Sequence, residues 1–307
     1  MRTIYAPDLI EETVLAAEVV VCSGDAQAFR RERDRIYERS DPDRRELEFR
    51  ALHLAWFARL GLSRAVGDIL NEFPELGVRL GEARVLRALT RREEGADLLD
   101  QLLPGASHQP LLVVRLRPAT LLDHNSLETL LRHELMHVVD MLDPGFGYER
   151  SLPSSDDGPS ADNILRDRYR VLWDTTIDGR LVRSGKVGPG AREARRREFV
   201  ATFMMLGERG GDAFAEWFDQ PRPTHAAMVA FAQSPHETGS GPSTNPGRCP
   251  LCRFPVAALE PHPSRLSAAA EAILRADFPG WVPKQGLCAQ CLDLYEARRE
   301  ETADVGR

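Results

Sequence analysis

An α+β fold, mainly helical with one short sheet, is predicted for this chain by three observations. Apolar residues recur at three and four spacing over much of the first hundred positions, and again around residues 127–142 and 196–206. The run Leu111-Leu112-Val113-Val114-Arg115-Leu116-Arg117, introduced by Gln109-Pro110 and closed by Pro118, reads as a strand that precedes a helix. Two C-x2-C pairs near the C-terminus mark a small module apart from the rest.

In chain order, residues 26–37, 44–60 and 62–70 have helical periodicity, and Phe49, Leu52, Trp56 and Leu60 form a stripe read as core packing. They define a helical N-terminal region, 1–105. Residues 106–232 form a second region holding the strand. In it, Asn125 and Glu128 read as a capping-box pair ahead of Leu127, Leu130, Leu131, Leu135, Val138 and Val139. That helix is expected to stop near Pro144-Gly145. Residues 151–160 and 185–190, rich in Ser, Asp, Gly and Pro, read as connectors. The composition of 233–248 is that of a flexible linker, and 249–307 form the cysteine module. No internal repeat is visible.

The second region contains His133-Glu134-Leu135-Met136-His137, the HExxH pattern. Four residues make just over one helical turn, so both imidazoles fall on one side and can grip one ion. Glu134, one step round, is placed to reach a water beside the ion rather than the ion itself. A single histidine on an amphipathic helix is ordinarily a surface or core residue. Two at this spacing, flanking a glutamate and framed by helix signals, propose a zinc hydrolase with Glu134 as general base. The upstream strand agrees, since zinc peptidases lay an extended substrate along a sheet edge beside the metal.

A catalytic zinc takes three protein ligands and keeps one position open, so a third residue is required. Asp143 lies ten residues after His133, but peptidases with that spacing have Gly where this chain has Asp140, and the apolar pattern continues through Met141 and Leu142. Glu149 stands just beyond the turn. Glu198 sits beside Phe199, Val200 and Phe203, where a carboxylate is costly to bury unless something positive holds it. This burial argument favours Glu198; pairing with Arg195 or Arg197 is its ordinary alternative. Asp140 shares the ligand face and is placed to accept an imidazole N–H or to brace a neighbouring loop.

Cys249-Pro250-Leu251-Cys252 and Cys288-Ala289-Gln290-Cys291 are two knuckles whose four thiolates match a closed, structural zinc site. Helices are expected within 264–274 and 292–299, giving a zinc-ribbon or treble-clef-like module. With no open position, this second ion is a staple rather than a catalyst.

Composition excludes several classes. A net charge of -7 argues against broad nucleic-acid binding. The cluster Arg192, Arg195, Arg196 and Arg197 reads as a solvated helix face, with orientation of an acidic substrate as its other use. No apolar stretch approaches eighteen residues, so no membrane partner is expected. Asp8, Glu11 and Glu12 stand where a signal peptide would be basic, and a cytoplasmic location is expected. The knuckles use four of five cysteines; the fifth, Cys22, reads as a small buried apolar residue.

The stretch from His133 to Asp143, with Asp140-Met141-Leu142-Asp143 extending HExxH, is followed about sixty residues later by Arg197-Glu198-Phe199-Val200-Ala201. Together they resemble the MtfA-type zinc metallopeptidases, relatives of the anthrax lethal factor catalytic domain. The resemblance covers roughly residues 30–232, and its specific residues are those two stretches. It implies a zincin-like core of gluzincin type, with His133, His137 and Glu198 on a catalytic zinc and Glu134 as base. That family also uses a tyrosine near the zinc-binding glutamate. Here Arg and Ala precede Glu198, which leaves Tyr148, Tyr169 and His225 as candidates for steadying the transition state.

Three function classes follow. The first is a zinc metallopeptidase acting on a peptide or protein substrate. The second is a non-catalytic zinc protein whose four-cysteine module binds a protein or nucleic-acid partner. The third is a zinc hydrolase of another substrate. Glu134 speaks against the second, because a purely structural site has no use for a base.

Overall fold

The computed structural model describes residues 1–19, 23–99, 110–154, 159–235, 249–252, 259 and 266–304. Cys22 and most of the expected linker, 236–248, lie outside the described residues. The helices are α1 (Pro7–Ala17), α2 (Ser23–Tyr37), α3 (Pro42–Arg59), α4 (Leu62–Leu70), α5 (Pro74–Arg79), α6 (Pro118–Leu122) and α7 (His124–Leu142). They continue with α8 (Pro159–Arg183), α9 (Gly190–Thr202), α10 (Gly210–Asp219), α11 (His225–Gln233), α12 (Ala268–Asp277) and α13 (Ala289–Asp304). A proline opens α1, α3, α5 and α6, where its fixed φ suits the first turn and no intrahelical N–H is lost.

The four strands are β1 (Arg2–Tyr5), β2 (Glu82–Arg87), β3 (Gly95–Leu99) and β4 (Leu111–Leu116). They form one sheet in the order β1-β2-β4-β3. β1 pairs parallel with β2, and β2 with β4; β3 runs antiparallel to β4 and forms an edge. β4 is buried at every position but Arg115, which explains its unbroken apolar run.

The chain divides into two compact units. The first comprises residues 1–151, 170–201 and 211–228. Its core joins Leu9 and Val14 of α1, Trp56 and Phe57 of α3, Val85, Leu112 and Val114 of the sheet, and Leu127, Leu131, Leu135 and Val138 of α7. Residues 1–99 therefore share one core with the HExxH helix. Leu52 and Trp56 are buried, with Phe49 and Leu60 packed against the same core.

α7 begins two residues earlier than the capping-box reading requires. Asp123 is the cap: its carboxylate accepts the N–H groups of Asn125 (3.1 Å) and Ser126 (3.3 Å). Asn125 is already inside the first turn, and Glu128 is engaged by Arg132 at 3.3 Å. Asp143 ends the helix, and its side chain accepts the Gly145 N–H at 2.8 Å.

The 25-residue helix α8 has no counterpart among the sequence-based expectations, and its Arg170–Arg183 part belongs to the first unit. Asp140 of α7, only 3% exposed, fixes that part. It takes Nη1 and Nη2 of Arg180 at 2.7 and 2.6 Å and Nε1 of Trp173 at 2.7 Å. Bracing is thus the role of Asp140. Beside Arg180, a Cβ at Gly179 would overlap the Phe218 carbonyl oxygen of α10, which Arg183 Nη1 also holds at 2.6 Å. Gly179→Ala is expected to destabilise the protein by about 2–3 kcal/mol, an overpacking cost against backbone that has no rotamer to yield. Denaturant melts measure it, and a change below about 0.5 kcal/mol would contradict this packing.

The second unit comprises residues 152–169, 202–210 and 229–307. Around its cysteines, Ala270 and Leu274 of α12, Leu292 and Tyr295 of α13, Trp281 and Leu287 make a small core. Ser267 caps α12 through the Ala270 N–H at 3.2 Å, and Tyr295 Oη donates to Asp277 at 3.0 Å. Both expected helices are present, each extending beyond its sequence-based limits at the C-terminal end.

Candidate metal centres

In the first unit α7 turns its leucines and Val138 into the core and presents His133 and His137 on its other side, facing α8. Nε2 of His137 lies 3.1 Å, and Nε2 of His133 3.4 Å, from the same atom, Oδ1 of Asp174. The edge of a tetrahedron around zinc with ligand bonds of about 2.0–2.1 Å is roughly 3.3 Å, so these three atoms fit one ion. They form the group of candidate ligands in this unit among the described residues.

Glu198 is not in that group. Its side chain is 40% exposed, and its two oxygens are taken by Arg195 Nη1 (2.6 Å) and Arg170 Nη2 (3.2 Å). The ordinary alternative, pairing with Arg195, is what the structure shows. The burial argument that singled out Glu198 applies better to Asp174, which is 7% exposed beside Val171, Leu172, Trp173 and Ile177. Asp143 and Glu149 are exposed, and Asp143 is occupied as the α7 cap.

Behind the three candidate ligands stands a second layer. Asp178, one turn along α8 from Asp174, accepts or shares a proton with Nδ1 of His133 at 2.9 Å. A carboxylate there fixes the ring orientation and leaves Nε2 for metal. Trp173 packs edge-on against the His137 ring with centroids 4.4 Å apart. Phe146, Tyr148 and His225 continue that aromatic cluster. Two of the three transition-state candidates, Tyr148 and His225, are thus linked to His137 through Trp173, whereas Tyr169 belongs to the second unit.

Glu134 points elsewhere, toward the sheet edge. Its Oε2 accepts the Ala96 N–H of β3 at 3.3 Å, and a Cβ at Gly95 would approach that oxygen to 3.0 Å. Gly95 has φ +155°, which ordinary side chains rarely adopt. Next along β3, the Leu98 carbonyl accepts Arg150 Nη2 at 3.1 Å.

Electrostatics describe the metal-free state. Burial pulls the His133 pKa down, but hydrogen bonds to Asp174 and Asp178 outweigh it and lift it from 6.5 to about 9. Against burial, the imidazole contacts hold both carboxyls below their usual range. A histidine whose folded pKa exceeds its unfolded value stabilises the fold fully below 6.5 and loses that contribution as pH rises to about 9. Metal needs the unprotonated ring, so zinc binding strengthens over the same window. Thermal melts at stepped pH should show the metal-free protein losing stability from 6.5 to about 9 while stabilisation by added zinc grows. A flat metal-free profile would contradict the placement of His133 between two carboxylates.

The second unit brings all four expected cysteines together. Cys249 and Cys291 Sγ are 3.8 Å apart, as are Cys252 and Cys288. A disulfide needs about 2.05 Å, whereas tetrahedral sulfurs at about 2.3 Å from zinc stand about 3.8 Å apart. The thiols are free, and only Cys252 is exposed. Burial raises the Cys249 pKa, but backbone N–H groups of Cys288, Cys252 and Leu251 bring it down from 9.0 to about 7. Burial and the neighbouring sulfurs push Cys288 and Cys291 up.

The cluster Arg192 to Arg197 divides. Arg192 pairs with Asp219 and Arg196 with Glu193 on exposed surface, as a solvated face would. Arg195 turns inward, its side chain 14% exposed, to meet Asp174 (3.2 Å), Asp178 (2.7 Å) and Glu198. Asp174, Asp178 and Arg170 have no counterpart among the sequence-based expectations, and Arg195, expected on a solvated face or beside Glu198, also reaches the two aspartates. The spacing of two aspartates, i and i+4 within an apolar stretch, was the available signal for the first pair. Among the described residues no helix is long and apolar enough to cross a membrane. Compared with family models, curated proteins and solved structures, the chain finds no match in any of the three.

Proposed function

We propose that the protein is a zinc-dependent metallopeptidase in which His133, His137 and Asp174 hold the catalytic ion and Glu134 is the general base. The observation that carries this reading is the convergence of two HExxH imidazoles and one carboxylate oxygen on a common point. Bound there, zinc would supply an acidified water and a polarised carbonyl. Glu134, whose carboxylate faces β3 on the adjoining side of α7, would take a proton from such a water and return it to the leaving amine. The edge strand β3 lies beside α7, and its Ala96 N–H reaches Glu134, so a peptide paired along that edge would pass the base. The resemblance to MtfA-type peptidases supports the same reaction, with Asp174 in place of Glu198 as third ligand. The four-cysteine cluster is read as a structural zinc site, and its free thiols suit a reducing compartment such as the cytoplasm.

Metal analysis joined to a peptide-library assay tests this. Two zinc ions per chain and cleavage that stops with a chelator and returns with zinc are expected. Two ions with no cleavage of any library would favour the non-catalytic zinc protein.

A further inference from the structure

We propose that Arg195 is a positioning residue of the HExxH centre, joining Asp174, Asp178 and Glu198 through one guanidinium so that Asp174 offers a single oxygen to the ion and His133 keeps one ring orientation. The inference rests on metal binding at His133, His137 and Asp174, not on the reaction.

Three carboxylates meet this one side chain. Nε donates to Asp178 Oδ2 at 2.7 Å, and Nη1 to Asp174 Oδ2 at 3.2 Å and to Glu198 Oε2 at 2.6 Å. On the two aspartates, each contact uses the oxygen that faces away from the imidazoles. Asp174 keeps Oδ1 for the histidines, and Asp178 keeps Oδ1 for Nδ1 of His133. Arg170 closes the arrangement, with Nη1 on Asp174 Oδ2 at 3.1 Å and Nη2 on Glu198 Oε1 at 3.2 Å. The second oxygen of Asp174 is therefore engaged twice. A carboxylate held in this way is monodentate, and a monodentate third ligand leaves the position that an incoming water or carbonyl needs.

Charge follows the same logic. Asp174 and Asp178 are one turn apart on α8 and largely buried, and two uncompensated carboxylates there would be costly. Arg195 offsets them from α9 without approaching the imidazole nitrogens as a donor. The planar fork is needed: lysine supplies the charge but not parallel donors on two acceptors. Glu198 is then the outer anchor that aims the guanidinium.

The test uses the full chain, with zinc affinity read by competition against a chromophoric chelator and cobalt(II) substituted at the HExxH centre for absorption spectroscopy. Arg195→Met is expected to weaken zinc at this centre by about 10–100-fold, the usual scale for loss of an outer-layer partner. The ion held by the four cysteines should stay in place as an internal control. The cobalt bands of the HExxH centre should lose intensity as Asp174 Oδ2, left with only the exposed Arg170, turns to the ion and the coordination number rises. Arg195→Lys should recover part of the affinity but not the spectrum, and it serves if the methionine variant fails to fold. Glu198→Gln should cost less than Arg195→Met, since the guanidinium keeps its two inner contacts. Affinity and spectrum unchanged in Arg195→Met, or in Arg195→Lys should only that variant fold, would overturn the proposal while leaving the metal site intact. A wild-type protein that binds one ion per chain would overturn the metal reading itself, and this proposal with it.

Discussion

Asp174→Ala is expected to leave the full-length chain with one bound zinc ion instead of two and with no hydrolytic activity. Oδ1 of Asp174 is the atom on which both imidazoles converge, at 3.1 and 3.4 Å, and its removal leaves a two-ligand site. The loss of affinity should exceed the roughly hundredfold cost of removing an outer-layer partner, because a direct ligand is gone. Glu198→Gln is the matched control. Its carboxylate holds Arg170 and Arg195 rather than an ion, so zinc content should remain at two. Atomic absorption on the two purified variants decides between the carboxylates, and the opposite pattern would restore Glu198 as ligand.

Glu134→Gln should keep both ions yet lower turnover by about 10²–10⁴-fold, the scale of a lost general base. Glutamine preserves the shape beside Gly95 and can still meet the Ala96 N–H through its carbonyl, so the fold has no reason to respond. Metal content, melting temperature and turnover measured together separate this outcome from unfolding. Unimpaired turnover would rule out Glu134 as base.

How much of this is legible in the sequence depends on whether a residue's partner is local. HExxH, the β4 run and the two knuckles are local patterns, and the structure places His133 with His137 and all four cysteines together. The short strands β1, β2 and β3 leave no clear signal, because four to six residues of mixed polarity carry little periodicity and their pairing is set by distant partners. The third candidate ligand escapes for a related reason. Neighbours in sequence make Glu198 look buried, but whether a carboxylate is buried depends on which helix face turns inward. On α9 that face carries Phe199 and Arg195, while Glu198 is 40% exposed. Asp174 satisfies the same burial argument from α8, a helix whose first residues read as a loop rich in Ser, Asp and Pro.

The most direct test of the account is a crystal structure of zinc-soaked protein with anomalous difference density collected at the zinc edge. Two peaks per chain are expected: one among Cys249, Cys252, Cys288 and Cys291, and one about 2 Å from Nε2 of His133, Nε2 of His137 and Oδ1 of Asp174. A single peak at the cysteines, or a second peak ligated by Glu198 instead of Asp174, would contradict it.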